Sequence, residues 1–327
     1  MSQLPEPLLQ KSNRRFVLFP IQYPTIYEAY KTQEKAFWTA EEIDFPGDLA
    51  DWKKLNENEQ IFIENILAFF AGSDGIIMEN IDSNFCQEIQ IPEVRLFYGF
   101  QEAMEGIHSE CYSKMIDTFI NDESRKHELL NAITKIPGVK KKAEWACKFL
   151  DKKKYSLSKR IVAFAIVEGI FFAGSFCAIF WIKYVRQLMT KALTKSNELI
   201  ARDESLHTDF AVLLYSFIVN KLPENEIHSL FREAIDIEIE FITESIKCNL
   251  IGMNSSEMIK YIKFTADRLL NQLGYSKIYN EENPFPFMNS SSLDGKTNFF
   301  ESRVSEYNRS EQLNGIGVTT AQILDDF

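Results

Sequence analysis

The sequence predicts an all-α fold. Apolar side chains recur at the 3.6-residue period of a helix from about residue 57 to residue 272, and no convincing run alternates polar and apolar residues as a strand does. With 327 residues, 45% hydrophobic and 13% aromatic, the chain can bury a large core. Four of the inward stripes are interrupted by acids or histidine, which indicates a polar site inside a helical bundle.

Polar residues interrupt the first two long helices on faces that should point inward. The first helix carries the stripe Ile63, Leu67, Phe70, Asp74, Ile77 and Ile81. The second carries the stripe Val94, Phe97, Gln101, Glu105, His108, Tyr112, Met115 and Phe119. Both helices therefore turn acids toward the interior.

The middle of the chain contains a long apolar stretch. Ile136-Pro137-Gly138 first separates helical patterning over 125–134 from that over 141–150. Ile161 to Ile182 then follows with Glu168 as its only charge, and its 22 residues are enough to cross a bilayer. A solitary membrane helix is the alternative. Because a glutamate inside a bilayer is costly, we interpret the stretch as a surrounded helix of a soluble bundle.

A turn must follow this stretch, although no Gly or Pro occurs between Gly174 and Pro223. A continuous helix would hold the carboxylates of Glu168 and Glu204 roughly 54 Å apart, since a helix rises about 1.5 Å per residue. We predict the corner at residues 194–197, with Ser196 or a neighbour as N-cap and Glu198 in the first turn. The next helix carries Ile200, Glu204, His207, Ala211, Leu214 and Ile218.

Glutamate and histidine recur at a metal-binding spacing in Glu105-x-x-His108 and Glu204-x-x-His207. An i, i+3 pair lies on one helix face, so each motif can turn a carboxylate and an imidazole toward one ion. The alternative for a single motif is a hydrogen-bonded core histidine. Two motifs together with Asp74 and Glu168 supply four carboxylates, whose burial two divalent cations neutralise. Oxygen-rich ligation with one nitrogen per ion suits iron or manganese, and the set is typical of a ferritin-like di-iron bundle.

Composition excludes several classes of function. The formal charge of −11 argues against binding nucleic acid, and we interpret the short runs Lys140–Lys142 and Lys152–Lys154 as solvated helix ends. Five cysteines without Cys-x-x-Cys spacing indicate neither a disulfide framework nor a zinc cluster. The N-terminus shows no secretory signal, so we expect a cytoplasmic protein without a membrane segment.

The character of the chain changes after Gln272, where proline, serine and polar residues become frequent. We predict a helical domain over residues 1–285, with an N-terminal extension, and a flexible tail over 286–327. The apolar residues of the tail could dock into a partner groove; the alternative is a disordered end.

Tyr112 lies four residues after His108 on the same helix face. By itself it would be a core tyrosine. Beside a metal pair able to activate dioxygen, it is a candidate for one-electron oxidation. We expect Ile166, Phe172 and Phe176 to surround the phenol and protect the product from water.

Four segments together resemble the small, radical-generating subunit of class I ribonucleotide reductase of the eukaryotic type. They are Ser73-Asp74-Gly75-Ile76, Gln101 to Tyr112 (QEAMEGIHSECY), Val167 to Phe172 (VEGIFF) and Ser196 to His207 (SNELIARDESLH). The resemblance runs from about Phe37 to the C-terminus. It implies a ferritin-like bundle that forms a homodimer. It also implies that the di-iron ligands are Asp74, Glu105, His108, Glu168, Glu204 and His207.

The resemblance also implies roles in radical chemistry. Tyr112 matches the stable radical site, and Trp38 and Asp203 match radical-transfer positions that would form a relay from His108 to the surface. Tyr307 matches the tyrosine that hands the radical to the large subunit. The ending Leu324-Asp325-Asp326-Phe327 resembles the tail that docks on that subunit.

One segment departs from the family pattern. Members of this type usually carry a Gly and a Pro-Gly in the connector, whereas residues 184–195 contain neither and are about two residues longer. The resemblance therefore does not extend to the turn geometry of the connector, whereas it does extend to the ligands.

We therefore expect the small subunit of a ribonucleoside-diphosphate reductase, in which iron and dioxygen oxidise Tyr112. The radical equivalent would pass to a large subunit that makes deoxyribonucleotides for DNA replication. One alternative is another ferritin-like di-iron oxidase or iron store. The other is a non-catalytic paralogue that supports an active small subunit in a mixed dimer.

Overall fold

A computed structural model describes residues 5–11, 13–245 and 247–290, and every regular element in these ranges is helical. The predicted all-α class is confirmed. The α-helices are α1 (Pro24–Lys35), α2 (Leu49–Trp52), α3 (Glu57–Asn80), α4 (Pro92–Phe119), α5 (Glu123–Leu130), α6 (Ala132–Lys135), α7 (Pro137–Lys148), α8 (Leu157–Ile166), α9 (Ala173–Trp181), α10 (Leu193–Ser216), α11 (Glu224–Glu240), α12 (Ser255–Gln272) and α13 (Phe287–Ser290).

Wider π-helical turns extend or interrupt several of these helices. They are Ile81–Cys86 after α3, Val167–Phe171 between α8 and α9, Ile182–Arg186 after α9, and Phe241–Ser245 after α11. Short 3-10 segments are Pro7–Leu9, Asn13–Phe16, Ala40–Glu42, Phe45–Asp48 and Cys248–Ile251. Because π-helical turns are rare and frequently occur at functional sites, the one that contains Glu168 draws notice.

The centre of the bundle is formed by α3, α4, α8 and α10. The most extensive packing joins α3 to α4, and α8 packs closely on α10. Helix α10 also contacts α4 and the π-helical segment Val167–Phe171. The elements that carry the inward acids and histidines are therefore mutual neighbours.

Local sequence signals explain where the two longest helices of this centre begin. At the start of α3, the Asn56 side chain accepts a hydrogen bond from the Glu59 N–H (3.0 Å), and the Glu59 carboxylate accepts one from the Asn56 N–H (2.9 Å). This capping box satisfies amides that the helix itself leaves unpaired. Helix α4 begins with Pro92, whose fixed φ and missing N–H suit the first helical position.

The corner before α10 differs from the prediction, because it lies at 187–192 rather than at 194–197. The preceding helix continues to Arg186, and the chain turns through left-handed conformations at Gln187 (φ 52°) and Met189 (φ 57°). The carboxylate of Asp48 then accepts hydrogen bonds from the amides of residues 191, 192 and 193, at 2.8 to 3.0 Å. Ser196 is therefore not the N-cap. Asp48, about 145 residues earlier in the chain, caps the start of α10 instead.

The apolar stretch around Glu168 is a buried core helix. The whole run Leu157–Arg186 is long and apolar enough to cross a membrane, but 94% of its most apolar window is buried inside the protein. A second run, Glu57–Cys86, passes the same length test with 50% buried. Burial of the first run supports its interpretation as a surrounded helix of the bundle.

The lysine run at the start of α7 differs from its predicted role as a solvated helix end. The run Lys140–Lys142 is not wholly solvated, because the side chain of Lys142 is buried against α11 while Lys140 and Lys141 are exposed.

The domain division stays a prediction: one compact unit spans Met1–Asn289, and most of the expected tail, residues 291–327, lies outside the described residues.

Candidate metal centre

The side chains of all six expected ligands are buried on adjacent elements, with at most 3% of each residue exposed. Asp74 comes from α3, Glu105 and His108 from α4, Glu168 from the π-helical segment Val167–Phe171, and Glu204 and His207 from α10. The i, i+3 spacing therefore has the consequence expected of it, since each Glu-x-x-His pair faces the same interior space.

A tight cluster surrounds His207. One ligand atom from each of four residues can be chosen so that all lie within 4.8 Å of one another: Glu105, Glu168, Glu204 and His207. From His207 Nδ1, the carboxylate oxygens of Glu105, Glu204 and Glu168 lie at 3.0, 3.2 and 3.9 Å. These distances suit donors that converge on a single cation.

A second position lies around His108. Its Nδ1 is 3.4 Å from Glu105 Oε2 and 3.2 Å from Glu204 Oε1, whereas the other oxygens of these carboxylates face His207. Glu105 and Glu204 thus each present one oxygen to each imidazole. The cluster therefore has two subsites, one beside each imidazole, and the carboxylates of Glu105 and Glu204 lie between them.

Asp74 and Glu168 complete the two ends of the cluster. Burial and the negative charge of Glu105 raise the pKa of Asp74, while the nearby His108 lowers it. Burial and the charges of Glu204 and Glu105 raise the pKa of Glu168. The charges that act on Asp74 include that of His108, and a Glu168 oxygen lies 3.9 Å from His207 Nδ1.

The imidazoles respond to the same negative charge. Burial lowers the pKa of His207, but the carboxylates of Glu105 and Glu204 outweigh it and raise that pKa to about 9. Burial also lowers the pKa of His108. The hydrogen bond to Asp203 and the nearby carboxylates of Glu105 and Glu204 outweigh burial and raise that pKa. The cluster therefore attracts positive charge strongly.

The donor set fits two divalent cations. Several buried donor atoms have no hydrogen-bond partner among the described residues: Asp74 Oδ2, both oxygens of Glu105, His108 Nδ1 and Glu168 Oε2. Orphaned buried polar atoms are costly unless a ligand or ion pairs with them. Four carboxylates against two dications make the site neutral, and oxygen with imidazole nitrogen suits iron or manganese.

Gln101 is a functional neighbour to which the sequence analysis assigned no role. Its Nε2 donates a 2.9 Å hydrogen bond to Glu168 Oε1, and the side chain is fully buried. The signal was present, because Gln101 is a polar residue on the inward stripe one turn before Glu105. Such a hydrogen bond orients a ligand carboxylate.

Tyr112 is buried next to this cluster, and its hydroxyl has no hydrogen-bond partner in the described structure. Burial, followed by the charge of Asp74, raises the pKa of its phenol. The ring stacks on Phe70, with centroids 4.6 Å apart and an interplanar angle of 15°. Phe70 was not among the expected shielding residues, and Phe172 and Phe176, which were, pack on Phe70 at 5.7 and 5.1 Å. The expected shield of Ile166, Phe172 and Phe176 around the phenol stays a prediction.

A hydrogen-bonded chain leaves the His108 subsite. His108 Nε2 lies 3.2 Å from Asp203 Oδ2, and Trp38 Nε1 donates to the same oxygen at 2.7 Å. The rings of Trp38 and His108 are nearly parallel, with centroids 6.0 Å apart. Trp38 is completely buried, so the relay ends inside the described chain and not at the surface as expected, while the adjacent Phe37 is 45% exposed.

Arg202 holds this chain in place. Its guanidinium donates to Asp203 Oδ1 at 3.0 and 2.7 Å and to the carbonyl oxygen of Ala36 at 2.5 Å. Burial raises the pKa of Asp203, but the His108 hydrogen bond and the Arg202 charge outweigh burial and lower it. Asp203 is therefore a carboxylate between His108 and Trp38. Tyr307, the last expected radical-transfer residue, lies outside the described residues.

Comparisons with known proteins point to a single family. The family model "Ribonucleotide reductase, small chain" matches residues 15–284. The chain is 54% identical to the ribonucleoside-diphosphate reductase small chain of Trypanosoma brucei brucei, covering 94% of this chain and 90% of that one. It is 53% identical to ribonucleoside-diphosphate reductase subunit M2 of Homo sapiens, covering 93% and 78%.

A solved structure shares the architecture. The ribonucleotide reductase Rnr4 homodimer from Saccharomyces cerevisiae matches with a TM-score of 0.81 and 38% sequence identity, and 93% of each chain is covered. This likeness confirms the ferritin-like helical bundle predicted from the two Glu-x-x-His motifs.

Proposed function

The chain belongs to the family of ribonucleotide reductase small chains, and from that premise we propose how its residues perform the small subunit's task. It is the small subunit of a ribonucleoside-diphosphate reductase, an oxidoreductase that works with a large subunit. We propose that Tyr112 carries the oxidising equivalent that the large subunit uses to reduce ribonucleotides to deoxyribonucleotides. The observation that carries the proposal is the buried cluster of four carboxylates and two imidazoles with Tyr112 on one of its helices.

We assign the ligands to two ions. Asp74 and His108 would bind one ion, Glu168 and His207 the other, and Glu105 and Glu204 would bridge them. The distances of the bridging oxygens to both imidazoles support this division. Iron is our assignment, with manganese as the alternative, because both accept oxygen-rich ligation. When bound, the two ions supply the activation of dioxygen.

Tyr112 is the residue that we propose to be oxidised. With dioxygen as the oxidant, the phenol would give up one electron and the proton of its hydroxyl, both of which end on the reduced oxygen. The product would be a neutral tyrosyl radical. Burial of the ring and the stacked Phe70 exclude water from it. A radical enclosed in this way would last longer, because dissolved reductants reach a buried ring less easily.

The route out of the site runs through Asp203. We propose that Trp38 passes an electron toward oxidised Tyr112 by way of His108, while Asp203 Oδ2 accepts the indole proton across the 2.7 Å hydrogen bond. The lowered pKa of Asp203 keeps it ionised and ready to accept that proton. Arg202 fixes the carboxylate in this orientation.

Delivery to the large subunit rests on the C-terminal region. We propose that Tyr307 receives the radical equivalent and that the tail ending at Phe327 docks on the large subunit. We further propose a homodimer as the working form, with a mixed dimer containing a second small-subunit paralogue as the alternative. We also propose that the protein is cytoplasmic.

Two rival functions are weaker. An isolated di-iron oxidase or iron store needs no route for an oxidising equivalent, whereas the Trp38–Asp203–His108 chain would form the first part of one. A non-catalytic paralogue needs neither a complete ligand set nor the tyrosine, and all seven residues are in place here.

Enzymatic reconstitution tests this function. The purified chain, loaded with ferrous iron in air and mixed with a large subunit, should convert a ribonucleoside diphosphate to its deoxy form. Activity that appears only after a second small-subunit paralogue is added would support the scaffold alternative instead. Activity in neither mixture, from a chain that carries both ions, would contradict the proposal.

A further inference from the structure

A buried ion pair lies behind the π-helical segment that carries Glu168. Lys142 of α7 pairs with Glu238 of α11, and their side chains are only 3% and 0% exposed. Neither residue touches the metal ligands in the described structure. The radical chemistry proposed above makes no use of the pair.

Burial of such an ion pair costs free energy, because both charges lose their contact with water. Burial lowers the pKa of Lys142 to about 8, even though Glu238 opposes this shift. Burial also raises the pKa of Glu238 to about 7, against the effect of Lys142. Apolar residues of similar volume often stabilise a helix interface as well as a buried ion pair does. The polar atoms therefore call for a reason beyond fastening α7 to α11.

That reason lies in what else the two side chains touch. Lys142 Nζ donates a 2.6 Å hydrogen bond to the carbonyl oxygen of Phe171, the last residue of the π-helical segment Val167–Phe171. A Cβ at Gly174 would lie 2.7 Å from Glu238 Oε1, so the carboxylate packs directly against the backbone at this glycine. The pair thus contacts the backbone at the point where the π-helical turn ends and α9 begins.

The ammonium also organises the aromatic residues behind the site. Lys142 Nζ lies 3.6 Å from the ring centroid of Phe241 and 4.1 Å from that of Phe69. Phe69 packs against Phe172 at 5.6 Å, and Phe172 packs in turn against Phe70, the ring stacked on Tyr112. A charge over aromatic faces holds those rings in place.

Both sets of contacts lead to the site. Glu168 is three residues before Phe171 in the same π-helical turn, so the path of that turn sets where its carboxylate points. Gln101 holds the carboxylate itself, and Lys142 with Glu238 holds the backbone behind it. We propose that the Lys142–Glu238 pair is a positioning element that fixes the wide turn, and with it Glu168 and the rings that shield Tyr112.

This inference rests on the proposed metal centre, and the structure offers a matched control for testing it. Lys141 and Glu240 form a second ion pair between the same two helices, but their side chains are 50% and 36% exposed. K141M removes an ion pair between α7 and α11 without touching the wide turn. K142M removes the grip on Phe171, and K142M/E238L replaces the whole pair with apolar groups that can pack.

Hydrogen–deuterium exchange of the metal-free proteins is the first measurement. We expect amides of residues 168–175 to exchange at least about tenfold faster in K142M and in K142M/E238L, and at the wild-type rate in K141M. Competition with a chelator is the second measurement. It should show that both Lys142 variants bind ferrous iron about tenfold more weakly than the wild type. This is the lower end of the loss of metal affinity seen when a residue that supports a ligand is replaced.

A shortened lifetime of the radical signal should accompany these changes in the Lys142 variants. If K142M does not fold, the double variant decides, because it has no unpaired buried charge. A folded double variant with wild-type exchange at 168–175 and wild-type iron affinity would overturn the inference. Failure of the wild type to form a radical would instead count against the role of Tyr112, since exchange and iron affinity do not depend on that radical.

Discussion

Trp38 and Asp203 stand 165 residues apart in the chain, yet Trp38 Nε1 donates a 2.7 Å hydrogen bond to Asp203 Oδ2. The same oxygen lies 3.2 Å from His108 Nε2. One carboxylate oxygen therefore connects an expected metal ligand to a buried indole. In the proposed function, this connection would serve a subunit that exports an oxidising equivalent, whereas a subunit that consumes it would not need one.

Replacing Asp203 with Asn should separate radical formation from radical delivery. D203N keeps the size of the side chain but removes the carboxylate that takes the indole proton. Reductase activity with the large subunit should fall by about 100-fold or more, as for the loss of a positioned proton acceptor. D209N, on the same helix, is the control and should keep wild-type activity. Equal activity of D203N and wild type would exclude this route.

The two kinds of carboxylate should differ in metal stoichiometry. Glu105 presents one oxygen to each imidazole, so E105Q should weaken the binding of both ions. Glu168 faces only the His207 subsite, so E168Q should weaken one ion more than the other. Iron analysis during titration with a chelator measures this. Identical losses in the two variants would refute the division into subsites. E198Q, at a half-buried carboxylate that pairs with Lys183, serves as control.

Metal loading should change the dependence of stability on pH. In the metal-free protein the pKa of His207 is raised to about 9. Its contribution to the free energy of unfolding is therefore fully present below the unfolded pKa of 6.5 and is lost as the pH rises through 9. The raised pKa of Asp74 and of Glu168 acts in the same direction. The melting temperature of the metal-free protein should therefore fall between pH 6.5 and 9.

Bound metal should remove that decline, because the cations replace the protons. At a free metal concentration 100 times Kd, binding adds about 2.7 kcal/mol to the free energy of unfolding. Thermal melts with and without a chelator across the pH range measure both effects. A metal-loaded protein that destabilises with pH as steeply as the metal-free one would argue against ligation by His207.

The C-terminal region should matter for delivery only. Y307F should keep the Tyr112 radical signal and lose reductase activity, because the change removes a redox-active phenol far along the chain. A synthetic peptide with the sequence of the last residues, ending at Phe327, should inhibit the wild-type complex by competing for the large subunit. Inhibition should be relieved by excess small subunit. A peptide without effect at saturating concentration would argue against docking through the tail.

Removing the Tyr112 hydroxyl should not destabilise the fold. The hydroxyl is buried without a hydrogen-bond partner in the described structure, so Y112F removes a polar group that gains nothing from its surroundings. Its free energy of unfolding should equal that of the wild type or exceed it by up to about 1 kcal/mol. Chemical denaturation measures the difference. A loss of several kcal/mol would reveal an unrecognised partner of the hydroxyl.

The ligands could be predicted from the sequence because their signals are local. An i, i+3 pair needs only one helix to face one ion, and an acid on an apolar stripe is visible without knowing what packs on it. The class of fold followed from the same periodicity. Asp74, Glu168 and the two Glu-x-x-His motifs accordingly lie together.

The remaining features depend on contacts between distant segments. Asp48 caps α10 from about 145 residues away, which is why the corner was placed too late. The stacking of Phe70 on Tyr112 was not foreseen, because the two residues lie on different helices whose relative register is set by packing. Lys142 belongs to a lysine run that resembles a solvated helix end, and only its partner Glu238 explains its burial.

Electron paramagnetic resonance of the reconstituted wild type tests the central claim most directly. The metal-free protein is loaded with ferrous iron, exposed to air and frozen, next to Y112F treated identically, with iron content measured for both. We predict a tyrosyl radical signal in the wild type and none in Y112F at equal iron content. A fully loaded wild type without a signal, or a signal that persists in Y112F, would contradict the assignment of Tyr112 as the radical site.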